Sequence, residues 1–303
     1  MTELSQYSSH FFDADAVNNS WSNMYRYVPE GARVLDVGCS TGNFGAALEA
    51  MKGCSVVGVD ISDDDIAIAR TKITDALVLD ITRPDISALI GTFDIVLFAD
   101  VLEHLAEPRD TMRSVRSVLN PGGSIVYSIP HMGHLSVRLD LLEGRFPYTE
   151  LGLLDRTHLH YYDRLEIHDI FASGGFAIAE EDPVLHGYPK RWIEERLGAL
   201  GLTPAPSFFE MLHKTDADVY QFIGRAVPSE EIPPLPRAVT PHHTPPDELL
   251  EHANRVLAEN EQLRGELQVT KADLVAVRQR IARVRRNPIA AIGREIRRRF
   301  SRR

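Results

Sequence analysis

The chain has 303 residues, of which 44% are hydrophobic, and a formal net charge of −10 at pH 7. This length and composition suit one α/β domain with appendages, and the lack of a long apolar run or a basic, apolar leader argues against a membrane span and a signal peptide. The 2 cysteines, Cys39 and Cys54, provide neither a disulfide framework nor metal-ligand spacing, which predicts a reducing, cytoplasmic location.

Residues 1–30 have the composition of a polar helical lead-in that carries several aromatic side chains. These side chains are Tyr7, Phe11, Phe12, Trp21, Tyr25 and Tyr27. Two interpretations stay open at this point: the segment caps a bound cofactor, or it packs as a plain outer helix.

A short apolar strand and a glycine turn follow the lead-in. The turn has the spacing D-x-G-x-x-x-G, formed by Asp36, Gly38 and Gly42. Glycines let the backbone turn sharply and approach a ligand without Cβ atoms in the way. A dinucleotide-binding turn would have the spacing G-x-G-x-x-G, but Ser40 and Asn43 stand where its second and third glycines belong. The meaning of the turn therefore depends on the elements that follow it.

Further strands alternate with helical segments, a pattern that predicts a mainly parallel sheet. The next strands are predicted at Ser55–Asp60, Ala76–Asp80, Phe93–Asp100 and Ser124–Pro130. A helix and two closing strands are predicted later, at Leu165–Phe171, Phe176–Glu180 and Asp218–Gly224. Residues 131–163 between them are predicted to be irregular, and residues 186–214 form an insertion of uncertain structure.

The order of these elements, with an acid at the end of the second and of the third strand, resembles class I S-adenosylmethionine-dependent methyltransferases over residues of about 20 to 228. The resemblance implies a Rossmann-like α/β sheet, parallel with an antiparallel edge, and S-adenosylmethionine as cofactor. It places Asp36, Gly38, Cys39 and Gly42 around the methionine moiety, Asp60 on the ribose, and Ile61, Asp80, Ile81 and Ala99 around the adenine and the rest of the cofactor. A single strand-ending aspartate could equally be a helix N-cap or a turn residue.

Ligands of an open α/β sheet bind beyond the carboxyl ends of its strands, so the ends of the fourth and fifth strands are expected to face the acceptor. Ionisable side chains are concentrated there: Asp100, Glu103, His104, His131, His134 and His158. A hydroxyl acceptor must lose a proton during methyl transfer, and histidine is the natural base near neutral pH. We therefore predict His104 and His158 as the catalytic residues, although each histidine taken singly could be structural.

A metal site is a second hypothesis for the same residues. Asp100, Glu103 and His104 have the spacing i, i+3, i+4, which places them on one face if a helix begins there. With a later histidine, His158, this order resembles the E-x-x-E-H metal site of some ubiquinone-pathway and small-RNA 2′-O-methyltransferases, with Asp for the first Glu. The resemblance implies a hard cation such as Mg²⁺. The alternative is that Glu103 and His104 are ordinary helix and wall residues.

The methyltransferase-like part, residues 31–228, is followed by a proline-rich linker over residues 229–246 and a heptad pattern over residues 247–286. The apolar seam consists of Leu249, Ala253, Val256, Asn260, Leu263, Leu267, Thr270, Leu274, Val277, Ile281 and Val284. A buried amide at Asn260 and complementary g and e charges favour a parallel, two-stranded coiled coil, and hence a homodimer. A lone amphipathic helix packed on the enzyme is the alternative.

Residues 287–303 form a basic amphipathic tail. Residues 278–303 contain eleven Arg and one Glu, a net charge of +10, so residues 1–277 carry −10 − 10 = −20. The tail suits an anionic membrane surface at the inner face of the membrane, with non-specific nucleic-acid contact or a frayed, solvated terminus as alternatives. The acidic body argues against nucleic acid across the active site.

The acceptor is predicted from a second resemblance. Residues 129–131, 142–146 and 154–158 resemble bacterial O-methyltransferases associated with surface polysaccharide, which implies O-methylation of a saccharide hydroxyl. A small quinone-like or natural-product acceptor is the alternative within the enzyme class. The alternative from another class is a cofactor-binding scaffold protein that acts through its coiled coil.

Overall fold

The computed structural model describes residues 12–16, 18–83 and 90–230. The coiled coil predicted over residues 247–286, the basic tail and all but the first two residues of the linker lie outside these residues. None of the helices in the described part of the chain has the length and hydropathy of a membrane span.

Seven strands form one sheet in the order β3-β2-β1-β4-β5-β7-β6. Their bounds are β1 Arg33–Val37, β2 Ser55–Asp60, β3 Asp75–Val78, β4 Phe93–Ala99, β5 Leu119–Pro130, β6 Phe176–Leu185 and β7 Val219–Pro228. Strands β1 to β5 pair in parallel, whereas β7 is antiparallel to both β5 and β6. The predicted parallel sheet with an antiparallel edge is therefore confirmed.

Helices connect the strands and cover both faces of the sheet. Their bounds are α1 Ser20–Tyr27, α2 Asn43–Lys52, α3 Asp63–Ala69, α4 Pro108–Val115, α5 Leu135–Leu142, α6 Arg164–Ser173, α7 Lys190–Ala199 and α8 Pro206–Lys214. The stretch predicted to be irregular contains α5, and the insertion of uncertain structure contains α7 and α8. These three helices share a small apolar cluster that includes Leu139, Ile193 and Leu212, and their packing on one another explains why they are helical despite weak sequence signals.

Successive side chains of β1 point to opposite faces of the sheet, so its apolar residues contribute to two different hydrophobic clusters. Leu35 and Val37 belong to the cluster on one face of the sheet, and Val34 belongs to the cluster on the other. This period of two is what the pleat of a strand imposes. Because both faces are covered, the central parallel strands contain almost uninterrupted apolar sequence.

The lead-in contains a short helix, α1, which is tied to the far edge of the sheet. The Asn18 side chain donates to the Leu185 carbonyl at 2.7 Å and accepts from its N–H at 2.6 Å, and the Tyr27 hydroxyl donates to Asp182 Oδ2 at 2.6 Å. The Trp21 ring stacks on Phe44 of α2 with 5.3 Å between centroids. These contacts hold α1 between the edge strand β6 and helix α2.

Candidate active site

A cavity of about 410 Å³ opens at the carboxyl ends of the parallel strands. Its lining includes eight of the nine predicted cofactor residues: Asp36, Gly38, Cys39, Asp60, Ile61, Asp80, Ile81 and Ala99. The ninth, Gly42, is the N-cap of α2. Topology explains this convergence, because β1, β2 and β4 are neighbours whose carboxyl ends meet at one edge of the sheet.

The glycine turn brings bare backbone to the cavity wall. Gly38 has φ +68°, and a Cβ added there would lie 2.8 Å from Cγ2 of Val101. Gly42 has φ +74°, a left-handed conformation that side chains disfavour. A non-glycine residue, Ser40, has φ +46° between them. The turn is therefore held in a shape that leaves a cradle next to the backbone, which fits a ligand such as S-adenosylmethionine.

Asp60, at the end of β2, is fixed by two backbone donors. Its Oδ2 accepts from the N–H of Ser40 and its Oδ1 accepts from the N–H of Ser62, both at 2.9 Å. The N-cap of α3 is Ser62 rather than Asp60, so the helix-cap alternative does not account for Asp60. Each carboxylate oxygen can accept a further hydrogen bond from the cavity side.

Asp80 and Ile61 complete the far end of the cavity. Asp80 Oδ1 accepts from the N–H and the hydroxyl of Thr82, which lowers the pKa of Asp80. Asp80 is therefore a turn residue, which was the alternative interpretation of a strand-ending aspartate, and it also lines the cavity. The Ile61 side chain is 78% exposed although it is apolar, and it offers a surface against which a flat ring could pack.

Two groups near the glycine turn have perturbed acidity because they are desolvated. Burial, reinforced by the nearby Asp60, raises the pKa of Asp36 to about 7. Burial also raises the pKa of the Cys39 thiol well above its usual range, with Asp36 and Asp60 adding to the effect. Cys39 is therefore a neutral thiol in the wall and not a nucleophile.

The predicted metal residues come together only in part. The ligand atoms of Glu103, His104 and His158 lie within 4.8 Å of one another, and the two imidazole rings meet edge to face. The segment Leu102–His104 is a single 3₁₀ turn and not the start of an α-helix, so the expected shared face of spacing i, i+3, i+4 does not form. Asp100 is left out of the group because its φ is +55° and its carboxylate is bound elsewhere. Three of the four predicted ligands therefore lie together, and Asp100 lies outside their group.

Glu103 is a buried carboxylate with unusual surroundings. Neither side-chain oxygen has a hydrogen-bond partner among the described residues, and its Oε1 lies 4.0 Å from Nε2 of His158. Burial, and then the charge of Asp100, raise the pKa of Glu103. Burial, and then His104, lower the pKa of His158. An unpartnered buried carboxyl group is costly, which indicates that a ligand, a proton or a cation satisfies it.

His104 is oriented by a chain of hydrogen bonds from the loop after α5. Its Nδ1 lies 3.2 Å from the carbonyl oxygen of Thr157. Because a carbonyl only accepts, Nδ1 donates this hydrogen bond, and in the neutral imidazole Nε2 then has the lone pair. Thr157 is itself fixed by Asp155, whose Oδ1 accepts from its N–H at 2.8 Å and from its hydroxyl at 2.7 Å. His104 also lines the cavity, so a prepared proton acceptor borders the ligand space.

Family comparison agrees with this geometry. A family model described as "Methyltransferase domain" matches residues 21–181. The chain belongs to this methyltransferase family. That membership confirms the class I resemblance at the level of the domain.

The curated relatives include several ubiquinone biosynthesis O-methyltransferases. The protein of Azotobacter vinelandii is 30% identical over 103 residues, which cover 32% of this chain and 44% of that protein. The protein of Rhizobium etli is 39% identical over 100 residues, covering 32% and 40%, and that of Paracidovorax citrulli is 30% identical over 142 residues, covering 45% and 58%. The matched part therefore spans less than two thirds of each relative's length.

Solved structures of similar shape include a SAM-dependent methyltransferase from Archaeoglobus fulgidus. It has a TM-score of 0.49 and 19% identity, covering 68% of this chain and 91% of that chain. Another is magnesium protoporphyrin IX methyltransferase from Synechocystis with bound SAH, with a TM-score of 0.47 and 18% identity, covering 70% and 83%.

Two histidines that the sequence placed near the acceptor serve the methyltransferase fold instead. His131 Nδ1 lies 3.1 Å from the carbonyl of Val219, and His134 Nε2 lies 2.8 Å from the carbonyl of His186 while its other nitrogen caps α5. Burial lowers the pKa of His131 to about 4 and that of His134 to about 3. Both are therefore neutral structural residues.

The structure also adds residues that the sequence patterns missed. Trp21, named only as one of several aromatic side chains, lines the cavity. Ser128 and Gln221 bind the carboxylate of Asp100. Gln221 gives no sequence signal, because it follows Asp100 by 121 residues and meets it only through the antiparallel pairing of β7 with β5.

Proposed function

We propose that this chain transfers a methyl group from S-adenosylmethionine to a hydroxyl oxygen of a small, quinone-like acceptor such as a catechol. The observation that supports it best is the continuity of one cavity, whose lining includes both Asp60 and His104. Cofactor-type and proton-accepting groups therefore border the same space. The methyltransferase family membership supports the same reaction class.

The cofactor end of the cavity would recognise S-adenosylmethionine through three features of this chain. Asp60 would accept hydrogen bonds from the two ribose hydroxyls, because each oxygen already has one backbone donor and can accept another. Ile61 would pack on the adenine, with Asp80 and Ile81 beside it. Asp36, Gly38, Cys39, Gly42 and Ala99 would surround the methionine moiety, with the bare backbone of the turn allowing close approach.

At the acceptor end, we assign His104 as the base. S-adenosylmethionine would supply an electrophilic methyl group on its sulfonium. The acceptor hydroxyl would give its proton to Nε2 of His104 as the O–CH₃ bond forms and the S–CH₃ bond breaks, leaving S-adenosylhomocysteine. The Thr157 carbonyl would stabilise the resulting imidazolium through Nδ1–H. His158, buried and neutral, would fix the position of the His104 ring by edge-to-face contact.

A cation at Glu103, His104 and His158 is the second candidate for the acceptor end. The two orphaned oxygens of Glu103 and the short separation of the three ligand atoms fit such a group. When bound, it would acidify an acceptor hydroxyl as a Lewis acid. Two imidazoles and one carboxylate are a donor set for a borderline ion such as Zn²⁺ or Mn²⁺, whereas Mg²⁺ prefers oxygen ligands. The donor set therefore gives the Mg²⁺ expectation no support.

The acceptor class is revised from the saccharide predicted from sequence. The curated relatives are ubiquinone biosynthesis O-methyltransferases, and that supports the quinone-like alternative better than the polysaccharide reading. If the chain were a cofactor-binding scaffold, the oriented imidazole of His104 and the unpartnered carboxylate of Glu103 would have no function.

The test is methyl transfer from isotopically labelled S-adenosylmethionine to a panel of catechols, hydroquinones and saccharides, with and without a chelator. We expect label on a catechol oxygen, and a loss of about 10²- to 10⁴-fold in His104→Ala. His160→Ala is the matched control, since the His160 ring lies 3.2 Å from the Ala106 carbonyl and stacks on Tyr162, and His160 is not among the residues that line the cavity. Label on saccharides alone would overturn the acceptor class. Cofactor binding without turnover on any acceptor would favour the scaffold.

A further inference from the structure

Asp100 is held in a strained conformation at the boundary between the two ends of the cavity. It follows the last residue of β4 with φ +55°, a left-handed conformation that is uncommon for non-glycine residues, although aspartate adopts it more often than most. The next residue, Val101, backs directly on Gly38 of the cofactor turn. Four residues after Asp100 comes His104, and both side chains line the cavity. Strain of this kind at a ligand cavity indicates a functional constraint.

Three hydrogen bonds from two other strands impose this conformation. The N–H of Asp100 donates to the Ser128 carbonyl at 3.1 Å. The Ser128 hydroxyl donates to Oδ1 of Asp100 at 2.6 Å, and the Gln221 side-chain amide donates to the same oxygen at 2.8 Å. Oδ1 is therefore saturated by two donors. In the part of the chain that the structure describes, Oδ2 has no hydrogen bond.

We propose that Asp100 is a substrate-contacting residue whose Oδ2 accepts the hydrogen bond of the acceptor hydroxyl, and that Ser128 and Gln221 are the positioning residues that aim it. The proposal rests on the proposed function, because it assigns a partner to the acceptor of that reaction. The cavity is also lined by the carboxylates of Asp36, Asp60, Asp65 and Asp80, which belong to the cofactor end, whereas Asp100 lies four residues before His104 in the chain. A hydroxyl that donates to Asp100 would have its oxygen oriented for in-line attack before His104 removes the proton.

This assignment differs from a metal-ligand role for Asp100. A metal ligand would have to join Glu103, His104 and His158, and the structure leaves Asp100 outside that group. Two donors on one oxygen instead fix the plane of the carboxylate and present the second oxygen in one direction. With both donors on Oδ1, the second oxygen is left to accept from a ligand.

The experiment compares two probes in the full-length protein saturated with S-adenosylhomocysteine, so that no turnover occurs. The probes are 3,4-dihydroxybenzoate and benzoate, which differ only in the hydroxyls that Asp100 would recognise. We expect wild type to prefer the dihydroxy probe, and we expect Gln221→Met and Ser128→Ala to reduce that preference by on the order of tenfold. Asp100→Asn should abolish it and should lower kcat for methylation. Affinity for S-adenosylhomocysteine should change less than about twofold in each variant, because the cofactor contacts are elsewhere.

The matched control is Asn120→Leu near the start of β5, where the Asn120 side chain binds Asp94 at the opposite end of β4 from Asp100. Asn120 donates its side-chain amide to Oδ1 of Asp94 at 2.8 Å, so the variant removes another amide-to-carboxylate bond, at the end of β4 that lies away from the cavity. It should lower thermal stability and leave the preference between the probes unchanged. A loss of preference in Asn120→Leu equal to that in Gln221→Met would show a general structural effect and overturn the proposal.

Two further results separate this proposal from the proposed function. If wild type methylates the catechol but Gln221→Met and Asp100→Asn keep the full preference for the dihydroxy probe, the assignment of Asp100 is overturned alone. If wild type binds S-adenosylhomocysteine but neither binds nor methylates catechols, the proposed function is overturned and this assignment with it. If the variants lose S-adenosylhomocysteine affinity instead, Asp100 belongs to the cofactor and not to the acceptor.

Discussion

Replacing Asp60 by alanine should weaken cofactor binding by about two orders of magnitude. The carboxylate holds Ser40 and Ser62 through one backbone N–H on each oxygen, so it keeps one acceptor position on each oxygen for the ribose hydroxyls. Hydrogen bonds to a charged group contribute about 1.5–3 kcal/mol each, and two such bonds that partly compensate one another give a loss of roughly 3 kcal/mol, or about 100-fold in Kd. Part of the loss would come from the Ser40 turn, which loses its anchor.

The assay is isothermal titration of S-adenosylhomocysteine into wild type, Asp60→Ala and the control Asp64→Ala. Asp64 is an exposed acid in the first turn of α3, four residues along the chain. Its removal costs a few tenths of a kcal/mol of stability through the helix dipole and should not change the affinity. If Asp60→Ala bound the cofactor as tightly as wild type while remaining folded, the assigned ribose contact would be refuted.

Three other experiments test the raised pKa of Asp36, the unpartnered carboxylate of Glu103 and the predicted dimer. The unliganded protein should lose stability as pH rises from about 4 to about 7, by at most about 1.4 kcal/mol per pH unit, because folded Asp36, with its pKa raised to about 7, holds a proton that the unfolded chain releases. Thermal melts across that range should be flatter for Asp36→Asn. In the presence of a chelator at pH 8, Glu103→Gln should raise the free energy of unfolding by about 1–3 kcal/mol, which thermal melts would show as a higher melting temperature. The same substitution should lower turnover at least about 100-fold. The control Glu107→Gln, at an exposed neighbouring position, should change neither stability nor turnover. If Glu103→Gln were less stable than wild type, the claim that the Glu103 carboxylate lacks hydrogen-bond partners would be contradicted. We also propose that residues 247–286 form a parallel dimer, which light scattering on the full chain and on one ending near Pro228 would test; a monomeric full chain would exclude it.

The cofactor end of the site could be predicted because its signals are local. Asp36, Gly38 and Gly42 belong to one turn, and Asp60 and Asp80 each end a strand. Parallel topology then brings these ends to one edge, so motifs that are separate in sequence become neighbours without any further information. The topology of the sheet could also be predicted, because alternating strands and helices permit few arrangements.

The acceptor end was predicted less well because its geometry depends on distant segments. The spacing of Asp100, Glu103 and His104 suggested an α-helical face, but the chain makes one 3₁₀ turn there. The cause lies outside the motif: Ser128 and Gln221 hold Asp100 in a left-handed conformation, which a continuing α-helix does not allow. His131 and His134 look like active-site residues in sequence, and only their carbonyl partners show that they are structural.

The two ends of the cavity differ in a way that predicts how ligands act on the fold. At the cofactor end, Asp60 is satisfied by backbone donors before any ligand arrives, and the buried atoms there without partners in the described part of the chain are the Ser40 hydroxyl oxygen and Oδ1 of Asp65. At the acceptor end, both oxygens of Glu103 and Oδ2 of Asp155 are buried without partners among the described residues. Each such group lowers the stability of the unliganded state by about 1–3 kcal/mol. Ligands or cations that reach the acceptor end should therefore raise thermal stability through relieved desolvation of the Glu103 carboxylate as well as through mass action. A divalent cation that raises the melting temperature of wild type but not of Glu103→Gln would show that the cation binds at Glu103. An equal rise in both proteins would show that the cation binds elsewhere, and the buried Glu103 carboxyl group would then be satisfied by a proton.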